Sequence, residues 1–158
     1  MKRLWAPWRI GYVSGKKKPK GCLFCAMTKG RRDEKNYVVL RTPLSFAVLN
    51  LFPYNNGHVM IVPKRHVRSL DLLSEQELMD LLRCLKMAQA NLKRILKPHG
   101  FNIGINEGAM AGAGIDKHLH IHLVPRWKGD VNFMPVLSST KIISQSLDAL
   151  YKAFTSCR

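Results

Sequence analysis

One stretch restricts the fold of this chain more than any other. It is His118-Leu119-His120-Ile121-His122-Leu123-Val124-Pro125-Arg126, in which histidines and apolar residues alternate strictly. Successive side chains of a β-strand point to opposite faces, so the pattern predicts a strand with His118, His120 and His122 on one side and Leu119, Ile121 and Leu123 on the other. The apolar row needs a covering layer. Imidazoles spaced by about 7 Å titrate near neutrality and repel one another when charged, which favours a shared anion or metal over a merely polar strand face. Two chemistries fit these residues: a metal-binding strand, or imidazole chemistry on a phosphate.

The rest of the chain supplies the layers. β-branched or alternating apolar segments at 37–41, 46–50, 58–63, 101–106 and 118–125, each bounded by Pro, Gly or Asn, predict five strands. Between the third and fourth, Leu78, Leu81, Leu82, Leu85, Leu92, Ile95 and Leu96 recur at three- and four-residue steps and predict one long helix, with Ser74 and Glu77 as its capping box. It stops at Pro98-His99-Gly100. A second helix is expected over 141–154, with Ile143, Leu147, Leu150, Tyr151 and Phe154 as its apolar stripe. Hairpin-length links between the early strands give an α+β fold, a mostly antiparallel sheet with the two helices packed on it. At 158 residues the chain is read as a single domain able to bury a sizeable core. Residues 1–21 form a basic arm, 22–127 the core, and 128–158 an extension carrying the helix.

No apolar run approaches the roughly 20 residues that cross a bilayer, and the first residues hold no apolar stretch followed by a small-residue cleavage site. A cytoplasmic protein without a membrane partner is expected. The formal charge is +16, and residues 1–32 hold ten Lys/Arg with no Asp or Glu. Such a field favours polyanions such as nucleotides, polyphosphates and nucleic acids.

The cysteines divide into a pair and two single residues. Cys22-Leu23-Phe24-Cys25 has metal or redox spacing, Cys84 lies in the helical pattern as a small core residue, and Cys157 is near the chain end. No βαβ pattern surrounds the pair, which argues against thioredoxin-like chemistry. Gly104, Gly108, Gly112 and Gly114 make the segment before the histidines permissive enough for backbone N–H groups to approach an anion.

The histidine stretch resembles the signature of the histidine triad (HIT) family of nucleotide hydrolases and transferases, H-φ-H-φ-H-φ-φ with φ apolar, and fits it from His118 to Val124. Phe46-Ala47-Val48-Leu49-Asn50 and Gly57-His58-Val59-Met60-Ile61-Val62-Pro63 are similar to the family's early strands. Leu4-Trp5-Ala6-Pro7-Trp8-Arg9 and the residues from Arg126 to Met134 resemble the branch of diadenosine tetraphosphate phosphorylases and ATP adenylyltransferases. The resemblance implies cleavage of a dinucleoside polyphosphate through a covalent nucleotidyl-histidine. His120 takes the nucleophile's position, and His122 lies against the phosphate as a protonated ring. Asn50 takes the ribose-binding position, His58 falls near the nucleoside, Asn106 contacts phosphate, and Gly112 and Gly114 supply backbone donors. Asn50, His58 and Asn106 have an alternative reading as turn or cap residues. Many relatives carry Gly-Gln-Ser or Gly-Gln-Thr where this chain reads Gly112-Ala113-Gly114-Ile115. The missing hydroxyl disfavours phosphoramidate hydrolysis, the runner-up activity, and suits a branch in which inorganic phosphate is the second acceptor.

Family members and the related galactose-1-phosphate uridylyltransferases also hold a structural zinc with residues matching Cys22, Cys25, His66 and His118, a closed tetrahedral donor set. The resemblance further implies a homodimer. From a different class comes a zinc-containing nucleic-acid-binding module, in which the basic arm contacts phosphates while Trp5 and Trp8 stack on bases.

Overall fold

The computed structural model describes residues 21–30, 32–130 and 143–156. Most of the basic arm with Trp5 and Trp8, the start of the extension after Asp130, and Cys157 lie outside the described residues. The described elements are, in order, α1 (Leu23–Lys29), α2 (Asp33–Asn36), β1 (Val38–Arg41), β2 (Ser45–Leu49), β3 (Val59–Pro63), α3 (Glu75–Leu96), β4 (Gly100–Ile105), β5 (Ile121–Arg126) and α4 (Leu147–Thr155). The strands form one sheet in the order β1-β2-β3-β5-β4 with every pairing antiparallel. This is the α+β architecture the periodicities predict.

Strand alternation divides the core in two. Ala47, Leu49, Val59, Ile61, Ile121 and Leu123 face α3 and α4 and pack on Leu81, Cys84, Ala88, Leu92, Leu150 and Phe154. The intervening residues Phe46, Val48, Met60 and Val62 face the other way and pack on Phe24 and Met27 of α1. The histidines share this second face with α1, a helix too short to leave a period in the sequence.

Helix α3 starts where the capping box predicts: Glu77 N–H donates to Ser74 Oγ at 3.3 Å, and Ser74 N–H to Glu77 Oε2 at 2.9 Å. It ends on Lys97 in the left-handed region (φ 46), directly before Pro98. The connection from β2 to β3 needs a glycine at its end. Gly57 has φ +76, and a Cβ there would come within 2.5 Å of Leu96 Cδ1. The loop therefore lies directly on α3.

Two boundaries differ from expectation. α4 begins at Leu147 rather than near 141, because Ser146 Oγ accepts the Ala149 N–H and caps it there. β5 begins at Ile121, so of the expected strand's histidines only His122 lies within it. The last pairs of the sheet are Ile61 with Ile121 and Ile105 with Ile121. Beyond that row β3 ends at Pro63, which has no N–H for a ladder, and Leu119 N–H bonds the Val67 carbonyl at 2.7 Å. His118 and His120 therefore extend past the edge of the sheet, yet they stay buried, at 0% and 4% exposure.

Candidate functional site

The histidine row is wired by bonds that fix which nitrogen of each ring carries the proton. The Tyr54 N–H, at 3.0 Å, and the Asn50 amide, at 3.3 Å, both donate to His58 Nδ1. His58 therefore carries its proton on Nε2 and donates it to His122 Nδ1 at 2.9 Å. That leaves His122 with its proton on Nε2. Separately, His120 Nδ1–H donates to the His118 carbonyl at 2.9 Å, which leaves its Nε2 as a bare lone pair. The His120 and His122 rings meet edge to face at 4.8 Å. The pair offers one unprotonated nitrogen beside one N–H, a nucleophile and a donor for the same phosphate.

Burial makes this neutral arrangement stable. Loss of solvent, with repulsion from His122 and His120, pushes His58 down to about 3, and burial followed by repulsion from His120 pushes His122 down to about 4. With no anion bound, His122 is therefore a neutral N–H donor near pH 7. His58, expected near a nucleoside, is 1% exposed and acts behind His122 as its hydrogen-bond partner.

A second cluster adjoins the first. His118 Nε2–H donates to the Pro63 carbonyl at 2.9 Å, so its Nδ1 is bare. That atom lies 3.2 Å from Cys22 Sγ, 3.7 Å from Cys25 Sγ and 3.2 Å from His66 Nδ1, with Cys25 Sγ 3.3 Å from His66 Nδ1. All four donor atoms lie within 4.8 Å of one another. Tetrahedral bonds of about 2.3 Å to sulfur and 2.0–2.1 Å to nitrogen would place such donors roughly 3.3–3.8 Å apart, so the set fits a tetrahedral metal ion. Burial and the adjacent Cys22 sulfur push the Cys25 thiol up, a cost that a bound cation removes. Histidine 118 links both clusters, its ring in one and its carbonyl in the other.

Three site residues leave no mark in the sequence pattern. Phe24, between the two cysteines, sets its ring 5.3 Å from His118 and 5.4 Å from His120. Pro63 supplies the carbonyl that orients His118. Tyr54, in the β2–β3 loop, stacks on His122 at 5.5 Å and 28° while remaining 55% exposed. The sequence-expected Asn50 joins the network, since its Oδ1 accepts the Phe52 N–H at 2.9 Å while its amide reaches His58. Asn106 directly follows β4, and Gly112 and Gly114 lie on the exposed loop after it. Gly112 has φ +82, a conformation that favours glycine. Ile115 anchors the end of that loop to the Phe24 cluster.

An antiparallel sheet with buried, singly protonated histidines at one end, beside a thiol–imidazole cluster, defines a protein equipped for nucleophilic imidazole chemistry. The chain belongs to the HIT domain family, whose model matches residues 31–129. It is 40% identical over 154 residues to an AP-4-A phosphorylase of Mycobacterium tuberculosis, covering 93% of this chain and 79% of that protein. Among solved structures it resembles a hypothetical histidine triad nucleotide-binding protein from Sulfolobus tokodaii strain 7. That match has a TM-score of 0.69 and 27% identity, covering 85% of this chain and 90% of the other. The fold also matches a Zn-bound histidine triad family protein from Mycobacterium smegmatis, with a TM-score of 0.68 and 22% identity over 87% and 95% of the two chains. Among the described residues no helix is long and apolar enough to cross a membrane.

Proposed function

We propose that this protein cleaves dinucleoside polyphosphates, diadenosine tetraphosphate above all, by a covalent nucleotidyl-His120 intermediate with inorganic phosphate as the acceptor. The observation that carries this reading is the bare Nε2 of His120, held by the 2.9 Å bond from its Nδ1 to the His118 carbonyl, next to the N–H of His122. His120 Nε2 attacks the α-phosphorus, an N–P bond forms, and the bond to the bridging oxygen breaks. The leaving nucleoside triphosphate carries away the electron pair. His122 Nε2–H donates to the phosphate oxygens as charge builds there. An oxygen of inorganic phosphate then attacks the same phosphorus, the N–P bond breaks, and ADP leaves, so the two products are ATP and ADP. The covalent intermediate divides one hard displacement into two. Asn50 holds the ribose, while Asn106 and the backbone at Gly112 and Gly114 hold the phosphate. The similarity to a protein named as an AP-4-A phosphorylase supports the choice of substrate.

Cys22, Cys25, His66 and His118 hold a structural zinc in this reading, and the ion joins α1 to the start of β5. With four protein ligands it has no open position for water. A homodimer is also part of the reading. β4 is an outer strand with Ile103 48% exposed, and α3 leaves Met79 and Leu82 exposed at 65% and 46%, apolar surface that a second copy would cover.

Ion-exchange separation of products formed from diadenosine tetraphosphate, with and without inorganic phosphate, tests the reaction. ADP and ATP formed only with phosphate are expected. AMP and ATP formed without phosphate would replace phosphorolysis with hydrolysis, and no product from protein that still binds AMP would overturn the substrate.

A further inference from the structure

The sheet face that carries the histidines does not end at His122. In β5 the residues on that face are His122, Val124 and Arg126, and their partners on β4 are Gly104, Asn102 and Gly100. Gly104, opposite His122, has no side chain, and among the described residues nothing lies within 4 Å of where its Cβ would stand. An open row therefore runs from His122 along the sheet.

It reaches a cavity of about 280 Å³ lined by Tyr54, Asn55, Asn102, Val124 and Arg126. From His122 to Arg126 is four residues, about 13 Å at 3.3 Å per residue. The three phosphoanhydride links between the attacked phosphorus and the far phosphorus of a tetraphosphate fit within that span.

The cavity walls suit phosphate. Arg126 Nη1 donates to Asn102 Oδ1 at 2.7 Å, which orients the carboxamide and leaves its N–H₂ group without a partner among the described residues. The guanidinium also pairs with Asp130 at 2.8 and 3.0 Å. Asp130 does not make the cavity acidic, because Arg126 balances its charge and the buried carboxylate is further held by the Asn55 amide at 2.8 Å and the Trp127 N–H at 3.2 Å. Its side chain is 8% exposed, against 42% for Arg126. The carboxylate is thus a buried brace that holds an accessible guanidinium beside an amide donor. Fixed fork geometry of this kind recognises phosphate oxygens. The exposed ring of Tyr54 bounds both this cavity and His122.

We propose that the cavity formed by Tyr54, Asn102 and Arg126 is a subsite for the distal phosphate groups of the leaving polyphosphate, reached across the open row at Gly104. The proposal rests on the dinucleoside polyphosphate reading above and adds what would make that activity selective for long leaving groups. A substrate with a short leaving group gains nothing from the subsite, whereas a tetraphosphate fills it.

Calorimetric titration with AMP and with a non-hydrolysable, methylene-bridged diadenosine tetraphosphate tests it, on the wild type, Gly104→Val and Asn102→Ala. Gly104→Val blocks the row and suits a strand, and Asn102→Ala removes the amide with its Arg126 Nη1 bond, while the Arg126–Asp130 pair, made through Nε and Nη2, needs neither residue. Each variant is expected to bind the tetraphosphate about tenfold more weakly, the size of one lost hydrogen bond to a charged group, with AMP affinity unchanged. The same variants should raise KM for diadenosine tetraphosphate and leave kcat within about twofold. Equal losses for both ligands would show that the residues act on the histidines instead, and no loss for either would leave the cavity without a role. Both results overturn the subsite. Failure of the wild type to form ATP and ADP overturns the parent reading instead, and does so in the wild type alone.

Discussion

The two faces of the sheet are held by different physics. On the α3 and α4 face the contacts are mainly apolar, from Leu81, Ala88 and Leu92 across Ala47, Ile61 and Leu123 to Leu150 and Phe154, and most of its stability scales with area removed from water. On the opposite face, Phe24 and Met27 pack beside His58, His118, His120 and His122, and the contacts that matter are directional. Each ring there has its proton placed by the next group in line. The comparison teaches that the apolar face degrades by degrees when altered, while the histidine face works or fails according to which nitrogen is bare.

The largest effect that would break this contrast is on activity. His120→Ala should lower kcat for diadenosine tetraphosphate on the order of 10⁴-fold with the fold intact by circular dichroism. Retention of more than a tenth of the rate would remove the directional face from the chemistry. Across the sheet, Leu81→Ala should cost about 2–5 kcal/mol in urea unfolding through the cavity it leaves, with kcat near the wild-type value at low temperature. A large loss of kcat there would mean that the faces are not separate.

Acid separates the faces differently. Burial lowers His58 to about 3 and His122 to about 4, from an ordinary value of 6.5. Below about 6.5 the unfolded chain takes up protons at these rings and the folded chain does not until near 4 and 3, so stability falls as pH drops through that window. Replacing His122 with Asn should flatten this part of the stability–pH curve, and Leu81→Ala should shift the curve without changing its shape. Urea midpoints at half-unit pH steps check both. The smallest effect belongs to the tie between β1 and α4, where Tyr37 O–H donates to Asp148 at 2.6 Å and that bond pushes the phenol pKa up to about 12. Tyr37→Phe should cost about 0.5–1 kcal/mol near neutral pH, because the pair is partly exposed. The wild type should lose the same amount as pH rises from about 10 through 12.

The same division decides what the sequence reveals. The apolar face is written in local periods: alternation marks the five strands, and three- and four-residue steps mark α3 with its Ser74–Glu77 cap. The row of histidines is equally plain. What holds them is not, because Pro63, Tyr54 and Phe24 act through contacts between distant segments, and the family resemblance rather than any local pattern brings His66 to His118. His118 and Cys22, for example, stand 96 residues apart. The start of β5 at Ile121 was hidden for a related reason, since the alternation continues to His118 although the ladder stops where β3 reaches its proline. α1 and α2, at 7 and 4 residues, are too short for a period to register. The left-handed Tyr37 (φ 55), which closes α2 and directs the chain into β1, carries no glycine to announce it.

His118 also imposes an order on assembly. Its ring faces a cysteine pair made early in synthesis, while its carbonyl holds a ring made two residues later. A chain emerging from the ribosome thus carries Cys22 for nearly a hundred residues before His118 exists, although His66 reaches Cys25 sooner. The bare nitrogen of His120, the nucleophile we propose, is oriented only when the two ends of the core have met, a late step in a fold of long-range contacts. Nascent chains and fragments that stop short of β5 therefore have no partial activity, and the appearance of turnover reports completed folding.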